Sequence, residues 1–178
     1  MLHINSTPNL PPLFIQPQSA PVGSHTGQIV VIDDQLFVYD QARGKWLSAQ
    51  TTLLSYANEN NSSGRFLEFV GDVTRNGAIL PYDATIVYIT VKALPTPTPR
   101  DKNIEIYIDN TPVPNNDTVS PEGISVDGVV RTSTNSNFFI SRTHNIDVDQ
   151  GQSVRVRVAN AGGNIEDTVV LLWLKWRK

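Results

Sequence analysis

The strongest constraint on the fold is an alternation of apolar and polar residues with a period of two, which begins near Gln28. Successive side chains of a β-strand point to opposite sides of a sheet, so this alternation is typical of strands with one face in the core. The segments that alternate most clearly are Ala84–Lys92, Asn103–Asp109 and Ser153–Ala159. We therefore expect half-buried antiparallel strands over most of the chain.

The alternation also predicts which side chains share a face of a strand. In the first segment, one face consists of Thr85, Val87, Ile89 and Val91, and the opposite face consists of Ile86, Tyr88, Thr90 and Lys92. In the last segment, the residues predicted to face the core are Val154, Val156 and Val158, and those predicted to point outward are Arg155 and Arg157.

Shorter β-rich segments are separated by turn-forming residues. These segments are Leu53–Tyr56, Phe66–Val70, Ile124–Val130, Phe138–Ile140 and Ile146–Val148. No long window shows the apolar stripe of an amphipathic helix. About ten short strands joined by loops predict an all-β fold, an antiparallel β-sandwich of the jelly-roll type. We place this domain at residues 28–178.

Residues 1–27 differ from the rest, because they hold five of the 12 prolines in the chain. Proline fixes φ, removes a hydrogen-bond donor and restricts the preceding residue, so we expect an extended arm here. The arm also carries an apolar group, formed by Leu10, Leu13, Phe14 and Ile15. Two interpretations remain open: the group docks on a neighbouring subunit, or it covers the protein's own domain.

The last segment, Thr168–Lys178, is apolar on both faces of a strand. One face holds Val169, Leu171 and Trp173, and the other holds Val170, Leu172, Leu174 and Trp176. Since only one side of a sheet faces the core of a two-layer sandwich, the second apolar face needs a cover. Exposed patches of this kind commonly mark interfaces, so we expect an oligomer with Trp173 and Trp176 in its interface.

The composition argues against several classes of partner. The net charge is -3 and the pI is about 5.5, whereas a nucleic-acid binder is expected to show a basic patch or stripe. The chain has no cysteine, and therefore no disulfide, thiol nucleophile or thiolate metal site. It has neither an apolar run long enough to span a membrane nor a start typical of a secretory signal. We expect no nucleic-acid or membrane partner.

The stretch Ile32–Asp40 contains the carboxylates of Asp33, Asp34 and Asp40. Two polar residues between β-rich runs predict a tight hairpin, because Asp tolerates the left-handed conformations of a type I′ turn. Asp40 then lies roughly 20 Å from the turn, at about 3.3 Å per strand residue. The three carboxylates cannot converge on one metal or substrate.

Other chemical motifs are incomplete. Asp147–Gly151 resembles the start of a calcium loop, but Val158 stands where the bidentate glutamate would be. The histidines, His3, His25 and His144, lack the spacing of zinc ligands, and no nucleophile elbow or phosphate-binding loop occurs. We expect no enzymatic activity, no metal and no cofactor.

Glycan binding is a further possibility, because sandwich domains often bind sugars through surface aromatic and amide groups. The aromatic candidates are Trp46, Tyr56 and Tyr82. The competing interpretation is that Trp46 packs at the start of its own strand.

The segment Gly27–Ser48, GQIVVIDDQLFVYDQARGKWLS, resembles a hairpin motif in structural proteins of tailed-bacteriophage virions. Gly71–Val73 and Leu80–Ile86 are similar to a pattern of the same proteins. Head-decoration and tail-fibre-like proteins share the motif, and the resemblance implies no catalytic residue.

The resemblance therefore implies a virion protein, made in the host cytoplasm. We expect a capsid cement or decoration protein that forms an oligomer, with a trimer favoured, on the outer capsid surface. Its arm would clamp neighbouring subunits of the major capsid protein. The alternative is a tail-fibre module that binds a receptor or glycan.

Overall fold

The computed structural model describes residues 15–58, 64–69, 77–94, 103–113, 123–125, 137–141, 144–158 and 166–178. These residues form strands β1 to β14, all paired strands are antiparallel, and no helix occurs among them. The all-β prediction is therefore confirmed. Two compact units are present, one ending at Gln50 and including Lys178, and the other spanning Thr51–Arg177. The division into an arm of residues 1–27 and a domain of residues 28–178 stays a prediction.

The first unit contains a three-stranded sheet. Its strands are β1 (Ile29–Ile32), β2 (Gln35–Asp40) and β3 (Lys45–Ser48), paired in the order β1-β2-β3. Asp33 and Asp34 connect β1 to β2 with φ angles of 48° and 63°. A type I′ turn requires positive φ at both central residues, so the predicted hairpin is confirmed.

The second unit contains two sheets. The six-stranded sheet consists of β4 (Thr52–Asn58), β5 (Glu68–Phe69), β7 (Ala84–Leu94), β11 (Asn137–Ser141), β12 (Ile146–Val148) and β14 (Glu166–Trp176). The five-stranded sheet consists of β6 (Ala78–Ile79), β8 (Asn103–Ile108), β9 (Thr111–Pro112), β10 (Gly123–Ser125) and β13 (Ser153–Val158). In the first, β14 lies between β4 and β7, and in the second, β13 lies between β8 and β6.

Buried side chains of both sheets meet in one hydrophobic cluster. The six-stranded sheet contributes Ile89 and Leu172, for example, and the five-stranded sheet contributes Ile106 and Val156. Two sheets that bury their inner faces against each other form a β-sandwich. The jelly-roll connectivity stays a prediction.

Tyr56 connects the two layers inside this core. Its side chain is fully buried on β4, and its hydroxyl donates a 2.6 Å hydrogen bond to the carbonyl of Val154 on β13. Burial raises the pKa of Tyr56 above its ordinary value, and a hydrogen bond with the Ala78 backbone opposes this effect in part. The hydroxyl therefore stays protonated and remains a donor at any physiological pH.

One predicted face assignment in β7 is wrong. The alternation placed Ile86 on the side opposite Ile89, but both side chains are fully buried. The pairing with β14 shifts at this point, since Trp173 lies opposite Tyr88 and Leu174 lies opposite Ile86. Val87 is thus the extra residue of a β-bulge, which reverses the alternation N-terminal to it.

Residues 64–69 pass from one sheet to the other. The amides of Gly64 and Leu67 donate to carbonyls of β13, at 2.9 and 2.8 Å, whereas Glu68 and Phe69 pair with β4. The strand predicted at Phe66–Val70 is therefore shorter than expected within the described residues. Its first part belongs to the edge of the other sheet.

Candidate interaction surfaces

The outer face of the six-stranded sheet carries an apolar row across three strands. Trp173 of β14 lies opposite Leu53 of β4 on one side and Tyr88 of β7 on the other. Leu53 is 46% exposed and Tyr88 is 38% exposed. Leu171, which is half-buried, lies on the same face of β14. We call the surface formed by Leu53, Tyr88, Leu171 and Trp173 the Trp173 face.

The indole of Trp173 is held within the sheet. Its Nε1–H donates a 3.2 Å hydrogen bond to the Thr90 hydroxyl. Because this bond satisfies the only polar group of the indole, the part of the ring that reaches the surface is apolar. The indole of Trp173 therefore offers hydrophobic contact without an unpaired donor.

Trp176 does not belong to the Trp173 face. The two tryptophans are three positions apart along β14, an odd spacing, so they point to opposite sides of the sheet. Trp176 packs against the core, and its ring meets that of Tyr82 edge-on, with centroids 5.7 Å apart. The structure does not bring together the two residues predicted to form one interface, and their role in an oligomer stays a prediction.

The described part of the arm lies on the sheet of its own unit. The amide of Gln18 donates a 2.9 Å hydrogen bond to the carbonyl of Val31 in β1, and the indole of Trp46 donates a 2.6 Å bond to the carbonyl of Pro21. In a hairpin with a two-residue loop, alternate carbonyls of β1 point away from β2, which leaves them available to the arm.

Gly23 allows a close approach between the arm and β2. A Cβ atom at this position would overlap the ring of Tyr39, which is also 5.3 Å from the ring of Trp46 between centroids. Among the apolar residues predicted to dock, Ile15 is half-buried, and Leu10, Leu13 and Phe14 lie outside the described residues. Their binding partner stays a prediction.

Two of the three aromatic residues considered for glycan binding are inaccessible. Trp46 is 5% exposed and its indole donor is occupied by Pro21, and Tyr56 is fully buried in the core. That interpretation of these two residues is wrong, because both satisfy their polar groups inside the protein. Tyr82 remains on the surface.

The carboxylates are engaged in separate turns rather than in a site. Asp40 accepts hydrogen bonds from the backbone and the guanidinium of Arg43, and the latter is 2.6 Å away. Asp149 forms an ion pair with Arg177 near the end of β14. Within the described ranges, no three His, Asp or Glu side chains are grouped as metal ligands would be.

The outer face of the five-stranded sheet carries two arginines beside an aromatic pair. The guanidinium carbon of Arg155 lies 3.9 Å from the centroid of the Phe66 ring, and that of Arg157 lies 6.0 Å away. The rings of Phe66 and Tyr107 meet edge-on at 5.0 Å. Both arginines were predicted to point outward, but Phe66 arrives from a distant part of the chain, which the alternation cannot reveal.

The positive charge of Arg157 is balanced by partners within this surface. Its guanidinium donates a 3.2 Å hydrogen bond to the Tyr107 hydroxyl and lies 3.5 Å from the Glu105 carboxylate. The hydrogen bond that Arg157 donates to Tyr107 is the main cause that raises the pKa of Arg157 above its ordinary value. The polar contacts of Arg157 therefore join β13 to the neighbouring strand β8.

Chains of two solved bacteriophage capsid structures are similar to this chain. A chain of the acidic stable capsid structure of Helicobacter pylori bacteriophage KHP30 is 12% identical, with a TM-score of 0.41, over 71% of this chain and 88% of that chain. A chain of the cyanophage Pam1 capsid asymmetric unit is 14% identical, with a TM-score of 0.39, over 89% of this chain and 92% of that chain. No family model and no curated protein matches the sequence.

No helix among the described residues has the length and hydropathy needed to cross a membrane.

Proposed function

We propose that this protein is a structural component of a bacteriophage virion, and that it acts as a capsid cement or decoration protein. The observation that carries the proposal is the Trp173 face, an apolar surface on the outer side of a sandwich whose core is already filled. Apolar surfaces of this kind mark sites of protein association. The virion context comes from the resemblance of Gly27–Ser48 to the hairpin motif of phage structural proteins.

The Trp173 face supports self-association. Leu53, Trp173 and Tyr88 form a row across neighbouring strands, so a partner can cover them together. A few well-packed side chains at the centre of an interface, often Trp or Tyr, contribute most of its stability. We propose that copies of this chain associate through this face, with a trimer as the expected oligomer.

The arm supports attachment to the shell. Hydrogen bonds from Gln18 and to Pro21 fix the described part of the arm to its own unit. We propose that the apolar group at Leu10, Leu13 and Phe14, which precedes these anchor points, docks on subunits of the major capsid protein. In an oligomer, several such arms act together, and their high effective concentration raises the overall affinity for the shell above that of any single contact.

A deletion of residues 1–14 tests this mechanism. The shortened protein keeps the contacts of Gln18, Pro21 and Gly23, so the fold of the first unit is expected to persist. A longer deletion would remove the acceptor of the buried Trp46 indole and would destabilise the sheet by about 1–3 kcal/mol. Attachment is measured by co-sedimentation with capsids that lack the protein.

The expected result is a loss of attachment with an unchanged oligomeric state. A second variant replaces Leu10, Leu13 and Phe14 by Ser, which keeps the length of the arm and removes only its apolar group. It should lose attachment as the deletion does. Full decoration of capsids by both variants would contradict the proposed role of the arm. Binding to host-cell glycans in place of capsids would favour the tail-fibre alternative.

A further inference from the structure

The guanidinium of Arg155 has no acceptor among the described residues. Its Nε is buried without a hydrogen-bond partner, and no ion pair joins the side chain to a carboxylate in this part of the chain. Arg157, two positions further along the same face of β13, has both a hydrogen-bond acceptor, Tyr107, and an ion-pair partner, Glu105. The Arg155 side chain is half-buried, so an acceptor from outside can reach the terminal amino groups of its guanidinium but not the enclosed Nε.

The Arg155 side chain is also held in a fixed position. Its guanidinium lies over the Phe66 ring, and its aliphatic stem runs beside Gly77, where a Cβ atom would overlap both the stem and the Val154 carbonyl. Gly77 adopts a φ of 83°, which favours glycine at this position. A guanidinium fixed on an aromatic face loses little further freedom when it binds a ligand.

A carboxylate fits this group better than a phosphate chain. Arg155 is one cation, its neighbour Arg157 is already balanced by Glu105, and the whole chain carries a net charge of -3. A nucleic acid needs several cations along its backbone, which this surface does not offer among the described residues. A planar carboxylate, in contrast, pairs with a single guanidinium through two parallel hydrogen bonds.

We propose that Arg155 is a binding site for an acidic side chain of the surface to which the protein attaches. The partner's carboxylate accepts hydrogen bonds from the terminal amino groups of Arg155 at the edge of the guanidinium, while the Phe66 ring packs against one face of the guanidinium plane. The identity of that surface as a capsid rests on the proposed function, whereas the preference of Arg155 for a carboxylate does not. The five-stranded sheet then faces the partner, and the Trp173 face of the other sheet serves self-association.

The first experiment uses acetate as the probe. Because the Arg155 Nε is enclosed, its N–H is expected to exchange slowly and to give a resolved NMR signal. Sodium acetate should shift this signal along a saturable curve, whereas sodium chloride at equal ionic strength should not. Inorganic phosphate tests the competing anion. No acetate effect, an equal chloride effect or tighter binding of phosphate would each overturn the proposal.

The second experiment compares Arg155→Gln with Lys92→Gln in capsid co-sedimentation. Lys92 is an exposed cation on the other sheet, so both variants carry the same net charge. Arg155→Gln should weaken attachment at least about tenfold, and Arg155→Lys should also weaken it, since lysine lacks the planar fork. Equal attachment of both glutamine variants would overturn the role in docking.

One further outcome separates this site from the proposed function. If acetate binds Arg155 but the unchanged protein does not attach to capsids, the carboxylate site stands and the cement function fails.

Discussion

Substitution of Leu53 by Asp should disrupt self-association without unfolding the protein. Leu53 is 46% exposed, and full burial of a leucine contributes about 1.5–3 kcal/mol, so covering its exposed half contributes ~1 kcal/mol per copy. An unpaired carboxylate at the same place adds a desolvation penalty of several kcal/mol. The combined loss of at least about 3 kcal/mol per copy corresponds to more than a 100-fold weaker association.

Sedimentation velocity over a range of concentrations measures this effect. Ile79→Asp is the matched control, because Ile79 is 72% exposed on β6 of the other sheet and receives the same substitution. The control should keep the oligomeric state of the unchanged protein, while Leu53→Asp should be monomeric. An oligomer that survives Leu53→Asp, or that Ile79→Asp disrupts equally, would refute the assignment of the Trp173 face.

Two further predictions concern the stability of the fold. Tyr56→Phe should lower the free energy of unfolding by about 1–2 kcal/mol, because the Val154 carbonyl loses a buried donor, whereas the exposed Tyr82→Phe should be neutral in the same urea titration. Equal effects of both would contradict the inter-sheet role of the hydroxyl. Asp34→Ala should speed hydrogen exchange of the β2 amides by roughly fivefold, since a left-handed conformation costs alanine about 1 kcal/mol, and Asp34→Gly should not. Similar exchange in the two variants would argue against the turn geometry.

The sequence predicts the long strands well, because their alternation is governed by burial on one face. The predicted segments Asn103–Asp109 and Ser153–Ala159 match β8 and β13 to within one residue. The hairpin at Asp33 and Asp34 also follows from local chemistry, because a two-residue turn and its flanking strands are encoded by neighbouring residues.

Features that depend on distant residues could not be predicted. The bulge at Val87 arises from pairing with β14, and the hydrogen bond from Tyr56 to Val154 joins residues 98 positions apart in the chain. Neither the alternation nor a turn motif contains this information. Two-residue strands such as β6 and β9 are too short to show any alternation.

The candidate surfaces also combine features that the sequence predicts with contacts that it cannot predict. The apolar outer face of β14 is visible in the sequence, because Leu171 and Trp173 alternate with buried residues. The packing of Phe66 on Arg155 is not, since it depends on the path of residues 64–69 from one sheet to the other. Burial of Trp46 by the arm likewise depends on a contact with Pro21, 25 positions away.

The most direct test of the proposed function is the number of copies of this protein in separated heads and tails of purified phage particles, measured by quantitative mass spectrometry. A cement protein should be present in the head fraction at on the order of hundreds of copies, because a symmetric shell repeats each junction many times. A handful of copies confined to the tail fraction, or absence from the particle, would contradict the proposal.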